Sequence, residues 1–293
     1  MEINIPHRLA TDRFRFYSIA VVPLFLLDQE ELLSRIPRLL ASEGGEFCLS
    51  SRMDPEMIAA CCSRGYLPMA VSSGGKSLLL IKCHHRRMVL DFGNLHVSRS
   101  TRRRGRREDL FLSVDQDIPD IFRGIARQHR ENWLLPAFQE ALLALHRVPL
   151  RGVSVHGVAL RTGEGQVVAG EVGYRCGAVY TSLSGFHSRD GAGSVQMGSL
   201  ARLLERQGFC FWDLGMEVDY KYRLGGHPLG RQEFLRRYRA AARQMPAPLP
   251  RATEAARLLL ERGAPDLSGE DGRIRSRAKA QEGSGVPGED RAG

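Results

Sequence analysis

The chain has 293 residues, 43% of them hydrophobic and 26% charged, with 42 Lys and Arg against 33 Asp and Glu for a net charge of +9. At roughly 100–200 residues per domain, this is one large globular domain or two smaller ones, long enough to bury a core without disulfide or metal staples; a disordered, collagen-like or coiled-coil protein is excluded. Nearly all the basic residues are Arg, whose permanently charged guanidinium pairs with phosphate through two hydrogen bonds at once, so a polyanionic partner is expected.

The first apolar run, Ile19 to Leu27, is too short to span a bilayer and contains Pro23. Asp28, Glu30 and Glu31 then stand where a signal peptide would carry its small-residue cleavage site, so the chain reads as cytoplasmic. Asp54-Pro55-Glu56-Met57 is a helix start: Asp54 caps, and Pro55 sits in the first turn where its missing N–H costs nothing. Met57, Ile58, Cys61 and Cys62 form one apolar face of that helix and Gly65 stops it. The run Leu95 to Arg107 gathers six guanidiniums into a segment expected to be partly extended, and it suits phosphate binding and a plain solvated surface equally.

Two helices follow, one carrying Ile118, Ile121, Phe122 and Ile125, the other Phe138, Ala141, Leu142 and Leu145. After Gly152 the period changes to two, predicting strands near Val153–Leu160, Gln166–Tyr174 and Ala178–Ser184. The glycine-rich turn Ser188 to Ser194 precedes a helix from about Val195 to Arg206, and Gly208 ends that helix. A buried strand, Phe209 to Trp212, closes at Asp213. Ala252 to Gly263 reads as a short helix, and 265–293 has too little apolar surface to offset its chain entropy and reads as disordered. Meandering strands, a long helix and a return strand give an α+β sheet with helices packed on it.

The six cysteines, Cys48, Cys61, Cys62, Cys83, Cys176 and Cys210, lack the spacing of a zinc or redox pair and read as reduced, partly buried thiols. The histidines, among them His84, His85, His146 and His156, stand in no recognisable hydrolase or metal-binding context. The residues alone therefore reach a basic α+β protein and stop there.

Met53-Asp54-Pro55-Glu56 through Arg64-Gly65-Tyr66-Leu67-Pro68, the run Leu95-His96-Val97-Ser98-Arg99-Ser100, Trp133 with Pro136, Leu145-His146, the gapless stretch Val167 to Phe186, Asp213, Leu224-Gly225, Arg231 and Phe234-Leu235 follow one another along the chain. In these residues, from Phe47 to Leu235, the chain resembles the bacterial leucyl/phenylalanyl-tRNA-protein transferases. The first stretch matches the family's early helix and its ending, Leu95 to Ser100 matches a hallmark run, and the rest keep the family's order. The resemblance implies a small N-terminal domain (1–92), an acetyltransferase-like mixed sheet with flanking helices (93–250), and a short helix with a disordered tail (251–293).

It also implies transfer of Leu or Phe from aminoacyl-tRNA to the N-terminal amine of an acceptor protein, marking that protein for turnover, with no cofactor, metal or membrane involved. In that reaction the α-amine attacks the aminoacyl ester and the tRNA ribose oxygen leaves. An amine with a pKa of roughly 7.7–8.0 needs no strong base. The demand falls instead on alignment and on hydrogen bonds to the developing oxyanion. By resemblance Asp213 is the catalytic group, and Trp133, Ser184, Gly185 and Phe186 bind the aminoacyl-adenosine. Arg87, Arg99, Arg102 and Arg103 would face the tRNA, and Asp213→Ala is expected to abolish transfer with the fold intact.

The sequence departs from the family where the family's functional carboxylate becomes Leu183, its Asp-x-Gln becomes Asp213-Leu214-Gly215, and its paired Trp residues become Ile81-Lys82. On this reading orientation and Asp213 suffice for transfer, with Glu171 or Glu217 able to provide an acid from another position. Two alternatives share the resemblance: an idle homologue that binds aminoacyl-tRNA or protein N-termini, and a different acyltransferase of the same superfold.

Overall fold

Of the 293 residues, the computed structural model describes 27–73, 75–116, 118–129 and 133–261; all of the first apolar run but Leu27, and the tail at 265–293, lie outside these. A 3-10 turn, Glu30–Arg35, leads into α1 (Ile36–Glu43), β1 (Phe47–Ser50), α2 (Pro55–Cys62), β2 (Leu67–Ser73), β3 (Lys76–Lys82) and β4 (Arg86–Leu90). Next come α3 (Arg99–Arg107), β5 (Leu110–Val114), α4 (Ile118–Gln128) and α5 (Pro136–Arg147). The middle of the chain forms β6 (Val153–Thr162), β7 (Val167–Cys176), β8 (Val179–His187), α6 (Ala192–Arg206) and β9 (Phe211–Gly215). It ends with α7 (Asp219–Arg223), β10 (His227–Gly230), α8 (Arg231–Ala241), β11 (Thr253–Ala255) and α9 (Ala256–Glu261).

The strands make two sheets, confirming the α+β class. A small antiparallel sheet runs β1-β3-β2, and a larger one runs β10-β4-β9-β8-β7-β6-β5-β11. All pairs of the larger sheet are antiparallel except β8 with β9. That exception follows from α6, because a strand can return parallel only through a crossover long enough to carry it back along the sheet. The larger sheet takes β4 from the segment expected as the small domain and β11 from the segment expected as helix and tail.

Both faces of this sheet are covered, and the alternation along β6 shows how. Val153 and Val155 point into a core with Met57, Phe122 and Phe138. Val158 and Leu160 point into a second core with Leu200, Trp212 and Leu260. The α2 helix starts as its sequence predicts, with the Asp54 carboxylate accepting the Met57 N–H at 3.0 Å.

Three readings need correction. The Arg-rich run is helical from Arg99 onward, because the Ser98 hydroxyl accepts the Thr101 N–H at 3.1 Å and caps it, and Arg is a good helix former. Its one glycine, Gly105, faces inward; a Cβ there would come within 2.6 Å of Leu260. Near the C-terminus, 253–255 pairs with β5 as a strand, and among the described residues the helix begins at Ala256 and runs to Glu261. The return strand continues past Asp213 to Gly215.

Candidate active site

β8 and β9 are paired at only three positions, the last being Thr181 with Asp213. Beyond them β8 follows β7 to His187 while β9 follows β4 to Gly215, so the two edges part and leave a wedge in the middle of the sheet. Ser182, Leu183 and Ser184 form one lip and Gly215, with φ +78°, the other. A Cβ on Gly215 would still lie 3.8 Å from the Ser182 carbonyl, so this wall is bare backbone.

Asp213 stands at the apex and is sealed there. Its side chain is 0% exposed and that of its partner Arg87 is 2% exposed. Arg87 Nε donates to Oδ1 at 2.8 Å and Nη2 to Oδ2 at 2.7 Å. The Thr181 hydroxyl adds a bond to Oδ2 at 3.0 Å, and the Gly215 N–H one to Oδ1 at 2.9 Å. Burial works to lower the Arg87 pKa, but the Asp213 charge and hydrogen bonds outweigh it and hold the guanidinium charged. Burial beside that guanidinium keeps His84 neutral, its pKa well below the usual value, so its Nδ1 accepts from Arg87 Nη1 at 2.9 Å. Arg87 is therefore no surface phosphate ligand, and the Asp213 oxygens are saturated rather than offered to a substrate. Sequence order placed both residues in the site without showing that they neutralise one another.

Behind the Ser182 lip lies a group that sequence reasoning held only as a substitute. Glu171 on β7 is 5% exposed, and burial pushes its carboxyl up to about 7 against the opposing pull of the Ser182 hydroxyl. Ser182 Oγ donates to Glu171 Oε1 at 2.9 Å and accepts the Trp212 Nε1–H at 2.9 Å. The other candidate acid, Glu217, is occupied at the surface by Arg86 at 3.1 Å and by the Tyr222 hydroxyl. Sequence reasoning missed Lys221. Its buried Nζ donates to the carbonyls of Leu214 at 2.5 Å and Met216 at 2.8 Å, fixing the free end of β9. Burial pulls its pKa down to about 8 although Asp213 opposes this.

The aromatic candidates lie on the other face. Phe186, Leu183 and Trp133 are half-buried against the core shared by α4 and α5, with Trp133 tilted against Phe138 at 5.7 Å. Phe186 lies over α4 so closely that a Cβ on Gly124 would be 2.4 Å from its ring. Gly185 accepts a hydrogen bond from His129 Nε2 at 3.0 Å on the same carbonyl edge. Gly124→Ala is thus expected to push Phe186 aside and lower stability by about 1–3 kcal/mol, despite the better helix propensity of Ala. Urea unfolding of Gly124→Ala against the same change made with Phe186→Leu checks this, since the smaller side chain should recover most of the loss.

The remaining guanidiniums, Arg99, Arg102 and Arg103, are exposed on α3. This helix packs on α6, and Arg104 reaches within 3.6 Å of Asp190 in the turn after β8. The arginine surface and the open end of the wedge therefore share one end of β8. Among the described residues no helix is long and apolar enough to cross a membrane.

Comparison with known proteins finds one family model, leucyl/phenylalanyl-tRNA protein transferase, matching residues 89–239. A leucyl/phenylalanyl-tRNA–protein transferase of Rubrobacter xylanophilus is 31% identical over 192 residues, covering 66% of this chain and 96% of the relative. Another from Paracoccus denitrificans is 30% identical over 195 residues, covering 67% and 89%. Among solved structures, L-PGS from Bacillus licheniformis matches with a TM-score of 0.36 and 16% identity, covering 64% of this chain and 58% of that one.

Proposed function

The chain belongs to the leucyl/phenylalanyl-tRNA protein transferase family, and we propose that the wedge between β8 and β9 is where it moves Leu or Phe from tRNA to a protein N-terminal amine. The observation that carries this reading is the coincidence, at one end of β8, of an opened parallel strand pair and an exposed arginine helix. Strand edges that have parted expose peptide N–H and C=O groups that can align an acceptor backbone against an ester. The tRNA acceptor end then lies along α3, with Arg99, Arg102 and Arg103 on its phosphates. With the wedge in its middle, the larger sheet serves as the acetyltransferase-like domain.

The reaction forms a C–N bond between the acceptor amine and the aminoacyl carbonyl and breaks the ester C–O bond, and the ribose oxygen takes a proton as it leaves. The acceptor amine sheds a proton in the same step. Ser182 and Glu171 supply a route for it: the hydroxyl stands at the lip and the carboxyl behind it is half-ionised near pH 7. Glu171 thereby takes over work that the family assigns to the carboxylate replaced by Leu183. Leu183, Phe186 and Trp133 offer the apolar surface for the Leu or Phe side chain, where one methylene is worth about 1–3 kcal/mol of discrimination.

Incubation with radiolabelled Leu-tRNA or Phe-tRNA and peptides of varied N-terminus tests the reading, with label expected on the peptide. Retained tRNA binding without label on any peptide would leave an idle binder. In the same assay, changing Arg99, Arg102 and Arg103 together to Ala is expected to weaken tRNA binding and to flatten the plot of log affinity against log salt by about 2–3, because each arginine neutralises one phosphate. An unchanged slope would put the tRNA elsewhere.

A further inference from the structure

The far end of the same sheet carries a second constellation that aminoacyl transfer does not use. Asp115 follows β5 with φ +61°, a left-handed backbone uncommon outside glycine. That conformation is held from both sides: the Asp115 N–H donates to the Gly157 carbonyl at 2.7 Å, and Oδ1 accepts the Gly157 N–H at 3.1 Å. The turned carboxylate places Oδ2 2.8 Å from His156 Nδ1, and His156 Nε2 lies 3.0 Å from Ser154 Oγ. Ser154 and His156 are two residues apart on β6 and so share a face of the sheet.

The hydrogen bonds run in one direction. The carboxylate can only accept, so Nδ1 carries the imidazole proton, and Nε2 is left with a lone pair for the Ser154 hydroxyl. Carboxylate, imidazole and hydroxyl in that order are the elements of an activated serine, a pattern defined by geometry and not by sequence position. These three residues line a cavity of about 450 Å³ whose other walls include Met245, Leu249 and Arg175. Arg175 is the direct cross-strand partner of Ser154, and among the described residues its guanidinium has no hydrogen-bond or ion-pair partner. Along β7 it lies about 13 Å from Glu171, four residues of strand.

We propose that Ser154, His156 and Asp115 form a second, hydrolytic site for small carboxylic esters that carry an anionic group. Ser154 Oγ attacks the ester carbonyl as its proton passes to His156 Nε2. The ester C–O bond breaks and the alcohol leaves with that proton. Water then attacks the acyl-serine, giving its proton to His156, and the Ser154 oxygen recovers one as the acid departs. The acyl chain rests against Met245 and Leu249, and Arg175 pairs with the anionic group.

The test uses the full chain and a fluorophosphonate probe, with the modified residue identified by mass spectrometry. A stable adduct on Ser154 is expected, absent from Ser154→Ala and formed roughly 10²-fold or more slowly in His156→Ala and Asp115→Asn. Hydrolysis of mono-para-nitrophenyl adipate should exceed that of para-nitrophenyl butyrate, with the preference lost in Arg175→Gln. Transfer of Leu from tRNA should be unchanged in Ser154→Ala, keeping this outcome separate from that of the wedge. With circular dichroism showing native folds, no Ser154 adduct, or an adduct formed as fast in His156→Ala as in wild type, overturns the proposal.

Discussion

Asp213→Ala is expected to cost about 3–5 kcal/mol of stability, because it leaves Arg87 charged in a site from which water is excluded. For a chain of this length that corresponds to a fall in Tm of roughly 6–20 °C. The loss reaches further than the ion pair, since Thr181 and the Gly215 N–H are also tied to that carboxylate. Transfer would vanish in this variant, but by collapse of the apex where β8 and β9 part, and not with the fold intact as sequence order suggests. Removing the charge on both sides distinguishes the two accounts. Asp213→Leu combined with Arg87→Met should regain most of the lost stability, because two buried charges are exchanged for apolar volume together. Thermal melts of the single and double variants check this. A single variant that melts within about 1 kcal/mol of wild type and still transfers nothing would return Asp213 to the chemistry.

What was legible in the sequence follows from where the information lies. β6, β7 and β8 were readable because a sheet covered on both faces demands β-branched and apolar residues along its strands, here set off by glycine-containing turns, and α2 because a capping Asp and a first-turn Pro are local signals. Helix α3 was not, since a run of guanidiniums has no apolar period to reveal its turn, and Ser98 was its one local signal. The thiols are free, as their spacing predicts: five of the six are buried and only Cys210 is exposed. The wedge was invisible because strand divergence is set by the partners β4 and β7, which lie far apart in the chain, one ending at Leu90 and the other beginning at Val167. For the same reason the resemblance put Arg87 on the tRNA side, whereas β4 carries it under Phe234, 5.1 Å from the ring. The Ser154, His156 and Asp115 arrangement was equally hidden, since Asp115 reaches it across the β5 and β6 pair.

Glu171 has two opposed effects that one substitution can separate. Its carboxyl titrates at about 7 in the folded chain because burial penalises the charged form, against an ordinary value of 4.5. A carboxyl with a raised folded pKa binds more protons folded than unfolded, so its contribution is fully present below the unfolded value. That contribution is lost as pH rises from about 4.5 to about 7. At 1.36 kcal/mol per pKa unit the loss is roughly 3 kcal/mol. Glu171→Gln keeps an acceptor for Ser182 Oγ and carries no charge, so it should be more stable than wild type at pH 8 by up to that amount and nearly equal to it at pH 4.5. Aminoacyl transfer should move the other way, falling by about 10²-fold in kcat, because an amide cannot take the proton that Ser182 passes on. In wild type the rate should climb as Glu171 deprotonates through about pH 7. In the variant only the acceptor amine's own ionisation, near roughly 7.7–8.0, should remain. Melting curves and pH–rate profiles read the two effects independently. A variant stabilised at pH 8 but transferring at the wild-type rate would show that the buried carboxyl is merely tolerated. One that is slow without being stabilised would show that Glu171 is ionised and paired in the resting fold, contrary to its burial.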